Sequence, residues 1–214
     1  MKAFRLLSIG YYVIIANGIV LLVELSLPYL QIKPGIDFLK TKQLIYHLDW
    51  WRISFYIHVF SSPFVIISGV GQFSRRILKS FPKFHRTSGK VYVFGVLLVS
   101  GPSGFLLGLY ANAGYIPQIS FVLLSLLWIF FTLIAFLQIR KRNIESHSKW
   151  MLRSYALCLS AITLRLLAYI FDLTGMEFTP RVNYAIISWL SWTVNLLVAE
   201  ILILYKVHLR LGPQ

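Results

Sequence analysis

The 214-residue chain is 57% hydrophobic and 13% charged, with a mean hydropathy of +0.71. Soluble domains carry about 25% charged residues, so lipid rather than water is the solvent for most of this chain. The net charge of +14 would suggest nucleic acid in a soluble protein. Here the Lys and Arg must first be placed relative to the apolar runs, and no nucleic-acid partner is expected.

About 20 apolar residues cover the ~30 Å hydrocarbon layer as a helix, and six such runs occur, at approximately 6–29, 53–73, 91–111, 119–139, 151–171 and 182–205. They predict an all-α integral membrane bundle of six transmembrane helices, with residues 1–214 as a single transmembrane domain. Barrel strands would alternate lipid-facing and lumen-facing residues, whereas these runs are continuously apolar. The first run follows a short basic start like a signal peptide. It is too long for that apolar region and lacks an Ala-x-Ala-like site, so it reads as a retained helix. Cys158 lies within an apolar run and is expected to be a small buried residue.

Fifteen of the 21 Lys and Arg fall at the N-terminus, in the 74–90 and 140–153 segments and in the tail with Lys206 and Arg210. Five fall in the alternate segments, and Arg165 lies within a span. Basic loops stay inside, so both termini are expected in the cytoplasm and the protein in a plasma membrane. The lipid bilayer is its first partner, with anionic lipids attracted to the same charges.

Between the first two spans, Phe38, Leu39, Leu44, Ile45 and Leu48 interleave with Lys40, Lys42 and Asp49. That pattern predicts a short amphipathic helix on the outer surface, followed by Trp50 and Trp51 in an interfacial belt. Within the spans, His58 and Arg165 fall in the outer half of the bilayer. A charged Arg there costs several kcal/mol without a partner, cavity or headgroup, and Glu24 and Asp172 are the carboxylates at comparable depth. The alternatives are an ion pair, outward snorkelling, or a ligand or proton-path role. Glu200 is expected to pair with Lys206 or a loop Arg. Ser61-Ser62-Pro63 interrupts the second span and Ser100-Gly101-Pro102-Ser103-Gly104 the third. Close packing through the Gly104-x-x-x-Gly108 face is the favoured account, and a kinked internal cavity is the alternative.

Two motifs open spans at the basic end. The first runs from Phe84 through His85-Arg86-Thr87-Ser88-Gly89-Lys90 to Tyr92; the second is His147-Ser148-Lys149-Trp150-Met151-Leu152-Arg153-Ser154-Tyr155-Ala156. Each places a His just outside the start of an apolar run. Imidazole can ligate haem iron or hydrogen-bond a quinone carbonyl, and neighbouring Arg and Lys can neutralise propionates or lipid phosphates. A solvated interfacial His is the plain alternative.

With His-Arg-x-x-Gly-x-x-Tyr, Trp128, His-x-x-Trp-Met-x-Arg-Ser-x-Ala and Leu164-Arg165, the stretch from His58 to Arg165 resembles the bacterial membrane-protein family catalogued as domain of unknown function 2306. No activity comes with that family. The resemblance implies that His58, His85, His147, Trp150, Arg153 and Arg165 are its characteristic polar positions.

Three functions fit these residues. A redox-associated protein would bind b-type haem or a quinone, or assist a respiratory membrane complex, with His85 and His147 as the possible axial pair. A small transporter or permease would use Arg165, His58 and the broken spans, although no inverted repeat is evident. A lipid-interacting structural subunit would hold headgroups on its basic loops. The expected functional surface is the inner face of His85, Arg86, His147, Trp150 and Arg153. Gly-x-Ser-x-Gly, phosphate-loop, His-Glu-x-x-His and Cys-x-x-Cys signatures are absent.

Overall fold

The computed structural model describes residues 2–175 and 178–205; the basic tail residues Lys206 and Arg210 lie outside them. Helix α1 spans Lys2–Ser26, α2 Asp49–Val70, α3 Arg75–Ser80, α4 Pro82–Phe94, α5 Gly101–Gly108, α6 Tyr115–Arg140, α7 Ile144–Cys158, α8 Ser160–Leu173 and α9 Pro180–Leu204. No strand occurs among the described residues. Six stretches are long and apolar enough to cross a bilayer: Tyr12–Gln31, Asp49–Phe73, Pro82–Gly108, Tyr115–Arg140, Ile144–Leu173 and Pro180–Leu204. They correspond one for one to the six runs of the sequence.

The third and fifth spans start much earlier than their apolar runs. Pro82 occupies the first turn of α4, where its missing N–H costs nothing. Asn143 caps α7 by accepting the Ser146 N–H at 3.1 Å. His85 and His147 therefore sit inside first helical turns rather than in loops. The α6–α7 hairpin turns tightly through Arg142, whose φ is 59°, and the two helices pack along their lengths.

The interrupted spans meet each other. Residues Gly95–Ser100 form a π-helical stretch between α4 and α5, and α2 carries Pro63 internally. The His58 ring Nδ1 lies 3.0 Å from the Ser100 carbonyl, which can only accept, so Nδ1 carries the proton. Ser61 Oγ lies 2.6 Å from Ser100 Oγ, Ser62 Oγ donates to the His58 carbonyl at 2.6 Å, and Ser103 Oγ donates to the Val99 carbonyl at 2.7 Å. Gly104 packs against the His58 ring and Gly108 against the Phe121–Val122 backbone. The contacts are those of close packing between interrupted helices.

Two apolar clusters build the interior. The larger joins Val65 and Ile66 of α2, Tyr92 and Val93 of α4, Trp128 of α6, and Met151, Tyr155 and Leu157 of α7. Inside it, Tyr92 Oη contacts Ser154 Oγ at 2.8 Å, Ser154 Oγ contacts Thr132 Oγ1 at 2.7 Å, and Trp128 donates to Tyr92 at 3.2 Å. Such bonds average about 0.6 kcal/mol in membrane bundles, so this network sets the register of α4, α6 and α7 more than it stabilises them.

The smaller cluster, Tyr29, Leu39, Trp51 and Phe55, forms a lobe at the opposite end from the basic loops. It corrects two expectations. The segment before α2 folds as short 3-10 turns, Leu27–Gln31 and Asp37–Lys42, rather than an amphipathic helix over Phe38–Asp49; Pro34 and Gly35 fall between the two turns. Lys42 is only 5% exposed: its ammonium donates to the Tyr110 carbonyl and lies 5.3 Å from the Phe38 ring centroid. Trp50 is exposed as a belt residue would be, but Trp51 is 1% exposed and stacks on Phe55.

Candidate functional site

The Gly71–Phe73 3-10 turn after α2, α3, and the ends of α4, α6 and α7 nearest the basic loops line a cavity of about 420 Å³. Phe73, Val93, Phe94, Phe136, Ile139, Ile144 and Met151 supply apolar walls; Gln72, His85, Arg86, Lys90, His147 and Ser148 supply polar groups. This volume falls in the usual range for small-molecule sites, which are mostly apolar with a few placed polar groups.

The two imidazoles differ in their hydrogen bonding. His147 Nδ1 lies 2.8 Å from the Ala135 carbonyl, so Nδ1–H is the donor and Nε2 keeps its lone pair. A backbone carbonyl in that position is also the usual partner of a ligating or base-acting histidine. His85 Nδ1, by contrast, is buried without a hydrogen-bond partner. A buried unsatisfied nitrogen costs about 1–3 kcal/mol. The two rings are close enough to act electrostatically on each other. Arg86 and Lys90 are exposed at the rim, a cationic border for an apolar chamber.

Gln72 is the residue that sequence reasoning missed. Its Nε2 lies within hydrogen-bonding distance of the His85 carbonyl (3.2 Å), Ser88 Oγ (2.8 Å) and the Ser68 carbonyl (3.4 Å), tying the start of α4 to the end of α2. Gly89 permits this, since a methyl there would meet Gln72 Oε1 at 2.9 Å. Nothing in the stretch Gly71-Gln72-Phe73 signals that role; only the fold brings Gln72 to His85.

The other expected site residues are elsewhere. Trp150 and Arg153 do not line the cavity: Arg153 forms a two-pronged pair with Glu200 at 2.6 and 2.8 Å and sits 4.6 Å from the Trp150 ring centroid. Trp150 also packs on Phe130 and Phe131. The partner of Glu200 is thus Arg153. His58 and Arg165 lie toward the opposite end, within electrostatic reach of one another and apart from the His85–His147 cavity. Neither Glu24 nor Asp172 pairs with Arg165, as both are exposed; the guanidinium instead donates back to the Ala161 carbonyl at 2.7 Å. Cys158 is buried and free, as expected.

Among the described residues no cluster of three or more His, Cys, Asp or Glu could hold a metal ion. The cavity offers two imidazoles and no carboxylate or thiolate, a donor set compatible with haem ligation or with hydrogen bonds to an organic ring.

Comparison with known proteins returns no match to a curated protein and none to a solved structure. A family model described as "Predicted membrane protein (DUF2306)" matches residues 55–203, which takes in His58, both histidines of the cavity, the Arg153–Glu200 pair and Arg165, and the chain belongs to that membrane-protein family.

Proposed function

We propose that the cavity at the basic end binds the head group of a quinone, and that the chain is a redox-associated or respiratory-assembly protein of the bacterial plasma membrane. Both termini and the cavity then face the cytoplasm, as the distribution of Lys and Arg supports. One observation carries the reading: the imidazoles of His85 and His147 line one largely apolar chamber of about 420 Å³. A quinone oxygen would accept from His85, a quinol hydroxyl would donate to His147 Nε2, and the apolar tail would leave between helices into lipid. Arg86 and Lys90 would favour any anionic form of the ring. A respiratory complex is the corresponding partner.

Haem b is the second reading, favoured by the presence of two histidines rather than one. It ranks lower because a ligating His normally donates its other nitrogen to an acceptor. His147 does so and His85 does not.

A reduced-minus-oxidised absorption spectrum of the purified protein separates the readings, with His85→Ala and His147→Ala alongside. A quinone gives an ultraviolet change lost in both variants; haem gives Soret and alpha bands lost in both. A preparation with neither signal removes the redox reading and turns attention to transport or lipid contact.

A further inference from the structure

Among the described residues, the lobe opposite the cavity holds hydrogen-bond donors and positive charge with no matching acceptor or carboxylate. Arg165 sits roughly 12 Å along the helix from the end of α8 at Leu173, and one of its nitrogens donates to the Ala161 carbonyl of its own helix. Among the described residues no carboxylate lies within ion-pair distance of it. Glu24, Asp37 and Asp172 are all exposed. His58 spends its Nδ1–H on the Ser100 carbonyl and supplies no negative charge.

One further donor lies beside Arg165, and another lies within the apolar cluster of the same lobe. The Tyr29 hydroxyl is within electrostatic reach of Arg165; it accepts the Phe38 N–H at 3.3 Å, which leaves its own proton to give. Trp51 is 1% exposed and its indole N–H has no partner. Both aromatic residues touch Phe55, Tyr29 edge-on at 5.1 Å and Trp51 stacked at 5.6 Å. A guanidinium inside the bilayer without a counter-charge costs several kcal/mol, and unpaired buried donors add to that cost. An oxyanion beside Arg165 would offset the first of these costs, since guanidinium and oxyanion geometry match in a forked pair.

We propose that this lobe is an oxyanion site, with Arg165 as the principal contact and the Tyr29 hydroxyl as the second. The ligand class is a phosphate group, carried either by a phospholipid headgroup or by a soluble phosphate. The site is separate from the His85–His147 cavity and does not depend on the function proposed for it.

The test uses the full-length protein in detergent as wild type, Arg165→Gln, Arg165→Lys and Tyr29→Phe. Phospholipid retained through delipidation is read by native mass spectrometry. Thermal unfolding is followed against inorganic phosphate, with chloride balancing ionic strength. Arg165→Gln is expected to weaken binding at least about tenfold, Tyr29→Phe to weaken it less, and Arg165→Lys to retain part of it. Lost lipid adducts identify a headgroup; a lost phosphate-dependent rise in Tm identifies a soluble anion. Lipid retention and phosphate response that match wild type in Arg165→Gln overturn the site. Should that variant not fold, the same result in Tyr29→Phe overturns it.

Discussion

Glu200 and Arg153 are 47 positions apart and belong to different helices, which is why local spacing pointed to Lys206 or a loop arginine. Arg153 side-chain exposure is 20% and that of Glu200 is 40%, so water screens the pair in part. Glu200→Ala is expected to cost about 1–2 kcal/mol, measured as a lower Tm in detergent, with Arg153 no longer anchored over the Trp150 ring. Lys42 shows the converse limit of sequence patterning. It alternates with apolar neighbours as a solvated residue would, yet the Tyr110 turn covers it, and burial pushes its ammonium down to about 8. The unfolded chain then binds more protons than the folded one between pH 8 and the ordinary lysine value near 10.5. Stability from this residue is therefore expected to rise with pH across that window. Thermal unfolding at pH 7.5 to 10 should show that rise in wild type and lose it in Lys42→Met.

At the scale of elements, the apolar runs mark where hydrocarbon lies and not where helices begin. The first two turns of α4 and α7 carry His85, Arg86, His147 and Lys149, residues that depress hydropathy although Pro82 and Asn143 start helices ahead of them. The consequence is functional, because a helical His has a fixed direction and a loop His does not. The helix interruptions were legible as Pro and Gly, but their mutual hydrogen bonding was not. Glycine is required where backbones or rings close in. A methyl at position 101 would lie 2.5 Å from the Val96 carbonyl oxygen, and one at position 69 would lie 2.2 Å from Tyr155 Cε2. Gly101→Ala and Gly69→Ala are each expected to destabilise by about 1–3 kcal/mol. Gly101→Ala should do so by disturbing the π-helical stretch, seen as faster amide exchange at residues 95–104; Gly69→Ala should displace the Tyr92–Tyr155 ring pair instead.

For the whole molecule, six spans and a helical bundle were readable because hydrocarbon thickness dictates span length and excludes open strands. The site was half readable: the two His-containing motifs marked the residues, but their meeting in one cavity depends on α4 and α7 packing around α2 and α6. Trp150 and Arg153 share the second motif yet serve helix packing, Arg153 through Glu200 of α9 and Trp150 through Phe130 and Phe131 of α6. Orientation rests on the charge distribution, and a reporter fused after Gln214 is expected on the cytoplasmic side; an external reporter would reverse it. The central claim, that His85 and His147 hold a quinone, is tested most directly by extracting the purified protein with organic solvent and quantifying quinone by chromatography. Near-stoichiometric quinone in wild type that falls to the detergent background in His85→Ala and His147→Ala is the predicted result. Wild-type protein with no quinone above background, or variants that keep as much as wild type, would contradict it.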